Sequence, residues 1–123
     1  MKSTMGQDSS LDTLLLLDGE MFFVEGNFWV KFQAKRVQVT PEKPHGLDYS
    51  LTLHGGDGER LLGFDNAHPI HEGTGPGART RIEYDHKHKG KRVRFYAYKD
   101  AMSLLADFWT EVEHTLRERS TAS

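Results

Sequence analysis

A chain of 123 residues with 37% hydrophobic and 28% charged residues has material for one domain around one core. With no cysteine, a disulfide framework, a thiolate zinc site and a cysteine nucleophile are all excluded. Net charge is only −2, which argues against a generally basic nucleic-acid binder, yet residues 79–94 hold seven Lys and Arg against Glu83 and Asp85 and so carry +5, leaving −7 for the remainder.

Residues 1–10 are small and polar and read as a disordered tail. They lack the apolar centre of a signal peptide, and the longest apolar run, residues 14–17, is far too short to cross a bilayer, so the expectation is a cytoplasmic protein with no membrane partner. A single domain is expected over residues 11–118, with a short disordered tail at 119–123.

Residues 14–17 and 21–24 flank Asp18-Gly19 and read as a hairpin, with helix as the competing assignment for 11–17. Apolar residues alternate at Phe28, Val30, Phe32 and Ala34, then change phase to Val37 and Val39, which predicts a long strand bent near Lys35-Arg36. Leu47, Tyr49, Leu51 and Leu53 alternate cleanly with polar residues and give the clearest strand. The Gly55-Gly56-Asp57-Gly58 stretch turns into a short strand at 60–64. It lacks the Lys-Ser/Thr of a phosphate-cradling loop.

Residues 66–77, with two prolines and three glycines, predict a long loop, followed by a possible strand at 80–84. Alternation over 92–98 predicts a strand whose outer face shows Arg92, Arg94, Tyr96 and Tyr98. Asp100 is placed to cap a helix reaching about Arg117, with Leu105, Phe108, Trp109, Val112 and Leu116 spaced three and four apart as a packing stripe. The expected architecture is α+β: a mostly antiparallel sheet of five or six strands with one C-terminal amphipathic helix on one face.

Pro44-His45-Gly46, the Tyr49-Ser50-Leu51 strand, Gly63-Phe64-Asp65-Asn66-Ala67-His68, Asp85-His86-Lys87-His88 and Leu104-Leu105-Ala106-Asp107-Phe108-Trp109 occur together in this order. The combination resembles the TumE family of small bacterial toxins, from Leu14 to Leu116. The resemblance implies a toxin encoded beside a helix-turn-helix antitoxin, its cognate partner, and acting on RNA or translation. It names no catalytic residue.

The residues themselves point to residues 65–94. Asp65, Asn66 and His68 follow a predicted strand, where Asp65 can orient the His68 imidazole or simply cap a turn. His86 and His88 are two apart, so in an extended segment they share one side; in a turn they would be solvated and incidental, as His45, His54 and His114 are expected to be. Cleavage of RNA through its own 2′-hydroxyl needs a base, an acid and fixed positive charge near the phosphate. The expected catalytic set is therefore His68, His86, His88, Asp65 and Asp85, without a cofactor, with Arg92 and Arg94 holding phosphate and Tyr96 or Tyr98 stacking on a base. Two alternatives use the same stretch: a metal-dependent phosphate-ester enzyme with His68, His86, His88 and Asp65 as ligands, and a non-enzymatic nucleic-acid or partner-binding module. Convergence of the three groups would follow if the 60–64 strand lay beside the 92–98 strand.

Overall fold

In the computed structural model, which describes residues 10–41, 43–66 and 85–122, the strands pair in the order in which they occur in the chain. They are β1 (Met21–Glu25), β2 (Phe28–Arg36), β3 (Leu47–His54), β4 (Arg60–Asp65), β5 (His86–Lys89) and β6 (Arg92–Phe95), with α1 (Leu11–Leu16) before them and α2 (Ala101–Ala122) after. Every neighbouring pair is antiparallel, so the sheet is a six-stranded meander. Two of its hairpins close through two-residue loops, Gly26-Asn27 and Gly90-Lys91. Each has glycine at φ of 55° and 59° respectively, in the first loop position, where a type II′ turn requires positive φ.

Register decides which side chains share a face. Val30, Phe32 and Ala34 of β2 stand opposite Leu53, Leu51 and Tyr49 of β3, and Leu51 and Leu53 stand opposite Phe64 and Leu62 of β4. All of these are buried, together with Leu47, and α2 covers them with Leu104, Phe108 and Val112. Phe108 meets Phe32 edge-on at 5.7 Å and Phe64 at 5.9 Å between ring centroids. Asp100 caps the helix, its Oδ1 accepting from the Ser103 N–H at 2.7 Å. The fold is thus α+β, with α2 packed against one face of the sheet.

Several expectations need correction. Residues 11–16 form helix α1, not the first strand of a hairpin: Leu14 is fully buried, with Leu11 and Leu15 packed against the core beside it. Asp18-Gly19 therefore joins a helix to β1, and Asp18 Oδ1 accepts from the Ala34 N–H at 3.0 Å. β2 ends at Arg36, so Val37 and Val39 are exposed residues beyond the strand, not the second half of a bent one. β6 ends at Phe95, and α2 continues past Arg117 to Ala122, through most of the expected tail. All but Ser10 of the expected tail at 1–10, most of the loop at 66–77, the strand at 80–84 and His68 lie outside the described residues.

Candidate functional site

The segment Asp85-His86-Lys87-His88 is not a turn but leads into β5, which lies between β4 and β6. The strand at 60–64 is consequently one strand removed from Arg92 and Arg94. His86 pairs with Asp65, and His88 with Gly63. Because alternate residues of a strand point the same way, both imidazoles stand on the face opposite α2, beside the Asp65 carboxylate.

There the carboxylate is held from both sides. His86 Nε2 lies 3.0 Å from Asp65 Oδ1, and His88 Nε2 lies 3.2 Å from Oδ2. The two rings meet edge-on with centroids 4.7 Å apart. Asp65 and His86 are only 7% and 3% exposed, while His88 is more open. Burial pushes the His88 pKa below the usual histidine range; Asp65 opposes this, and Arg60 and His86 reinforce it. The ring is therefore neutral at neutral pH, with a lone pair available. Asp65, His86 and His88 are also the group among the described residues that can hold a metal ion, their donor atoms lying within 4.8 Å of one another.

Gly63 forms the floor between Thr52 and His88. A Cβ there would meet Thr52 Cγ2 and Arg60 Cδ, each at 3.5 Å, so the Arg60 side chain lies over this floor and brings its guanidinium toward His88. Sequence reasoning missed Arg60. A glycine inside a strand, three residues after an arginine, was the available signal, since such a glycine marks a close approach by another group.

Asn66 is structural. Its Oδ1 accepts from the Tyr49 N–H at 3.0 Å, its Nδ2 donates to the Leu47 carbonyl at 2.7 Å, and its own carbonyl accepts from Lys43 Nζ. The side chain prolongs the β3–β4 ladder and anchors the end of the strand that carries Asp65. Asn66→Ala leaves two buried backbone groups without these partners and should destabilise the fold by roughly 1–3 kcal/mol per group, read as a lower urea midpoint.

Other expected site residues lie elsewhere. Asp85 accepts a hydrogen bond from the Tyr49 hydroxyl at 2.8 Å, on the helix side of the sheet, and burial together with Asp85 pushes the Tyr49 pKa up. Tyr96 is 8% exposed, packs edge-on against Phe64 at 5.0 Å and donates to Asp107 Oδ2 at 2.6 Å. Burial, then this hydrogen bond, raises its pKa. Tyr98 is half-buried against Tyr49 and His45, with centroids 5.7 Å and 4.3 Å away. The two arginines and two tyrosines therefore do not form an outer face: by register this side of β6 is the one that α2 packs against, so Tyr96 is buried there, and Val93 and Phe95 are the exposed residues on the other side. Arg94 and Arg92 pair with Lys87 and Lys89, on the helix side. These four line a pocket of about 280 Å³ with Glu111 and His114. The sheet separates that basic pocket from the histidines.

A small α+β domain with a histidine–carboxylate centre on the sheet face opposite α2 and a basic pocket on the helix side is the class that fold and site define. The sequence model of the family described as Toxin TumE matches residues 3–116, and the chain belongs to this family of small bacterial toxins. Membership implies a cognate antitoxin. No curated protein and no solved structure matches the chain. Among the described residues, no helix is long and apolar enough to cross a membrane.

Proposed function

We propose that this toxin is a cytoplasmic endoribonuclease, neutralised by a helix-turn-helix antitoxin, with the reaction at Asp65, His86 and His88. The observation that carries this reading is the convergence of both imidazole Nε2 atoms on the two oxygens of one carboxylate. With its Nε2–H donated to Asp65, a neutral His88 keeps Nδ1 as the basic nitrogen, and no hydrogen-bond partner occupies that atom among the described residues. His88 then takes the proton of the RNA 2′-hydroxyl as O2′ bonds to phosphorus, while the P–O5′ bond breaks to leave a 2′,3′-cyclic phosphate. Asp65 fixes the ring and stabilises the imidazolium that forms, and His86 holds the second carboxylate oxygen. Arg60 supplies positive charge near the phosphate, the part first expected of Arg92 and Arg94. For the proton needed by O5′ the sequence offers His68, three positions beyond Asp65.

A second reading, favoured by the close donor set, has the same three side chains hold a divalent cation. EDTA separates the two. Purified toxin stripped of metal should still cut RNA in EDTA; activity lost on chelation and restored by a divalent ion would establish the second reading instead.

A further inference from the structure

β6 ends the sheet, and its four residues are all exposed. By register, Val93 and Phe95 stand opposite His88 and His86 on the face away from α2, while Arg92 and Arg94 stand opposite Lys89 and Lys87 on the helix side. One strand therefore presents an apolar shelf to the histidine centre and two guanidinium groups to the basic pocket. Phe95 is 55% and Val93 48% exposed, although both adjoin the most buried polar cluster of the sheet.

The lysines of the pocket are already engaged. Lys87 Nζ lies 3.1 Å from Glu111, and Lys89 Nζ lies 4.0 Å from Glu111 and 3.5 Å from Glu118. Among the described residues no carboxylate pairs with Arg92 or Arg94, so the positive charge of the pocket lies chiefly with them, beside His114. A pair of arginines with no carboxylate partner among the described residues, next to a stacking surface, has the two components of a single-strand binding site, charge for the phosphates and an aromatic face for a base.

We propose that single-stranded RNA crosses the sheet over β6: a base stacks on Phe95 beside His86 and His88, and the flanking phosphates descend into the pocket between Arg92, Arg94 and α2. This path rests on the reading that RNA is the substrate. It also accounts for charge and catalytic groups lying on opposite faces, because a sheet edge is one strand thick and a flexible single strand can bend over it. A stiff A-form duplex cannot, and its narrow major groove would not admit the edge.

The test measures binding apart from cleavage, with a short fluorescent single strand 2′-O-methylated throughout, so that no 2′-hydroxyl is available. Arg92→Gln with Arg94→Gln should weaken binding about tenfold or more and reduce the slope of log K against log salt by about 1.4, at about 0.7 for each phosphate that is no longer neutralised. Phe95→Ala should weaken binding roughly 5- to 150-fold with the slope unchanged, because stacking releases no counterion. Lys35→Gln with Arg36→Gln removes the same charge from β2 and should leave binding as in the wild type. Unchanged binding in the β6 arginine variant, or equal loss in the β2 variant, overturns the path. So does a β6 variant that binds RNA normally but loses its antitoxin, which would assign the pocket to an acidic protein segment. A toxin that binds the probe in the expected pattern and cuts no RNA refutes the endoribonuclease reading and leaves the path standing; normal cleavage with the pattern absent does the reverse.

Discussion

His88→Ala should lower the single-turnover rate of RNA cleavage by about 10²–10⁴-fold, the range for a positioned proton-transfer group, and abolish growth arrest in cells that express it. The fold should survive, since His88 is the most open of the three groups and its ring reaches outward from the β5 backbone toward Asp65. Far-ultraviolet circular dichroism and a urea curve close to the wild type, alongside the lost rate, separate chemistry from unfolding. His86→Ala is a poorer choice, because its ring is 3% exposed and its removal would leave a cavity next to a buried carboxylate. A His88→Ala protein that still cuts RNA at the wild-type rate would remove the proposed base.

Phe108→Ala should cost about 3–5 kcal/mol, the range for truncating a fully buried aromatic ring. Phe108 is fully buried where α2 crosses the sheet, edge-on to both Phe32 and Phe64. A domain this small is expected to have only about 5–15 kcal/mol in total, so the variant should be partly unfolded near body temperature. Equilibrium urea unfolding measures it. Trp109, the next residue, is 37% exposed, and its truncation should cost distinctly less. Equal losses at the two positions would mean that α2 is rotated from the orientation described.

The contrast between these two helix positions is also where sequence and structure part. Strict alternation over Leu47–His54 placed β3, and the three-and-four spacing from Leu105 placed α2, because a regular element buried on one side imposes its period on the residues. The stripe included both Phe108 and Trp109, and only packing separates them. In the first segment, six residues are too few for period to distinguish helix from strand, so tertiary contact through Leu14 decided it. Over 92–96 the alternation was real but its sides were reversed: Arg92, Arg94 and Tyr96 face α2, where Tyr96 bonds to Asp107, and Val93 and Phe95 are exposed.

The histidines and aspartate were visible as chemistry-bearing residues, whereas their arrangement was not. Asp65 and His86 are neighbours across two strands that are distant in sequence, and no local pattern records a register. The same register placed Arg92 and Arg94 with Lys87 and Lys89 on the helix side, so that the guanidinium acting on His88 is that of Arg60. A basic window in the sequence thus became two surfaces separated by the thickness of a sheet.

The ends left on the cut RNA test the histidine chemistry most directly. Metal-free toxin in EDTA should generate 2′,3′-cyclic phosphate and 5′-hydroxyl ends, since the attacking oxygen is the RNA's own, and Asp65→Asn should generate far fewer. Ends bearing 3′-hydroxyl and 5′-phosphate, or RNA that stays intact until a divalent ion is added, would contradict it.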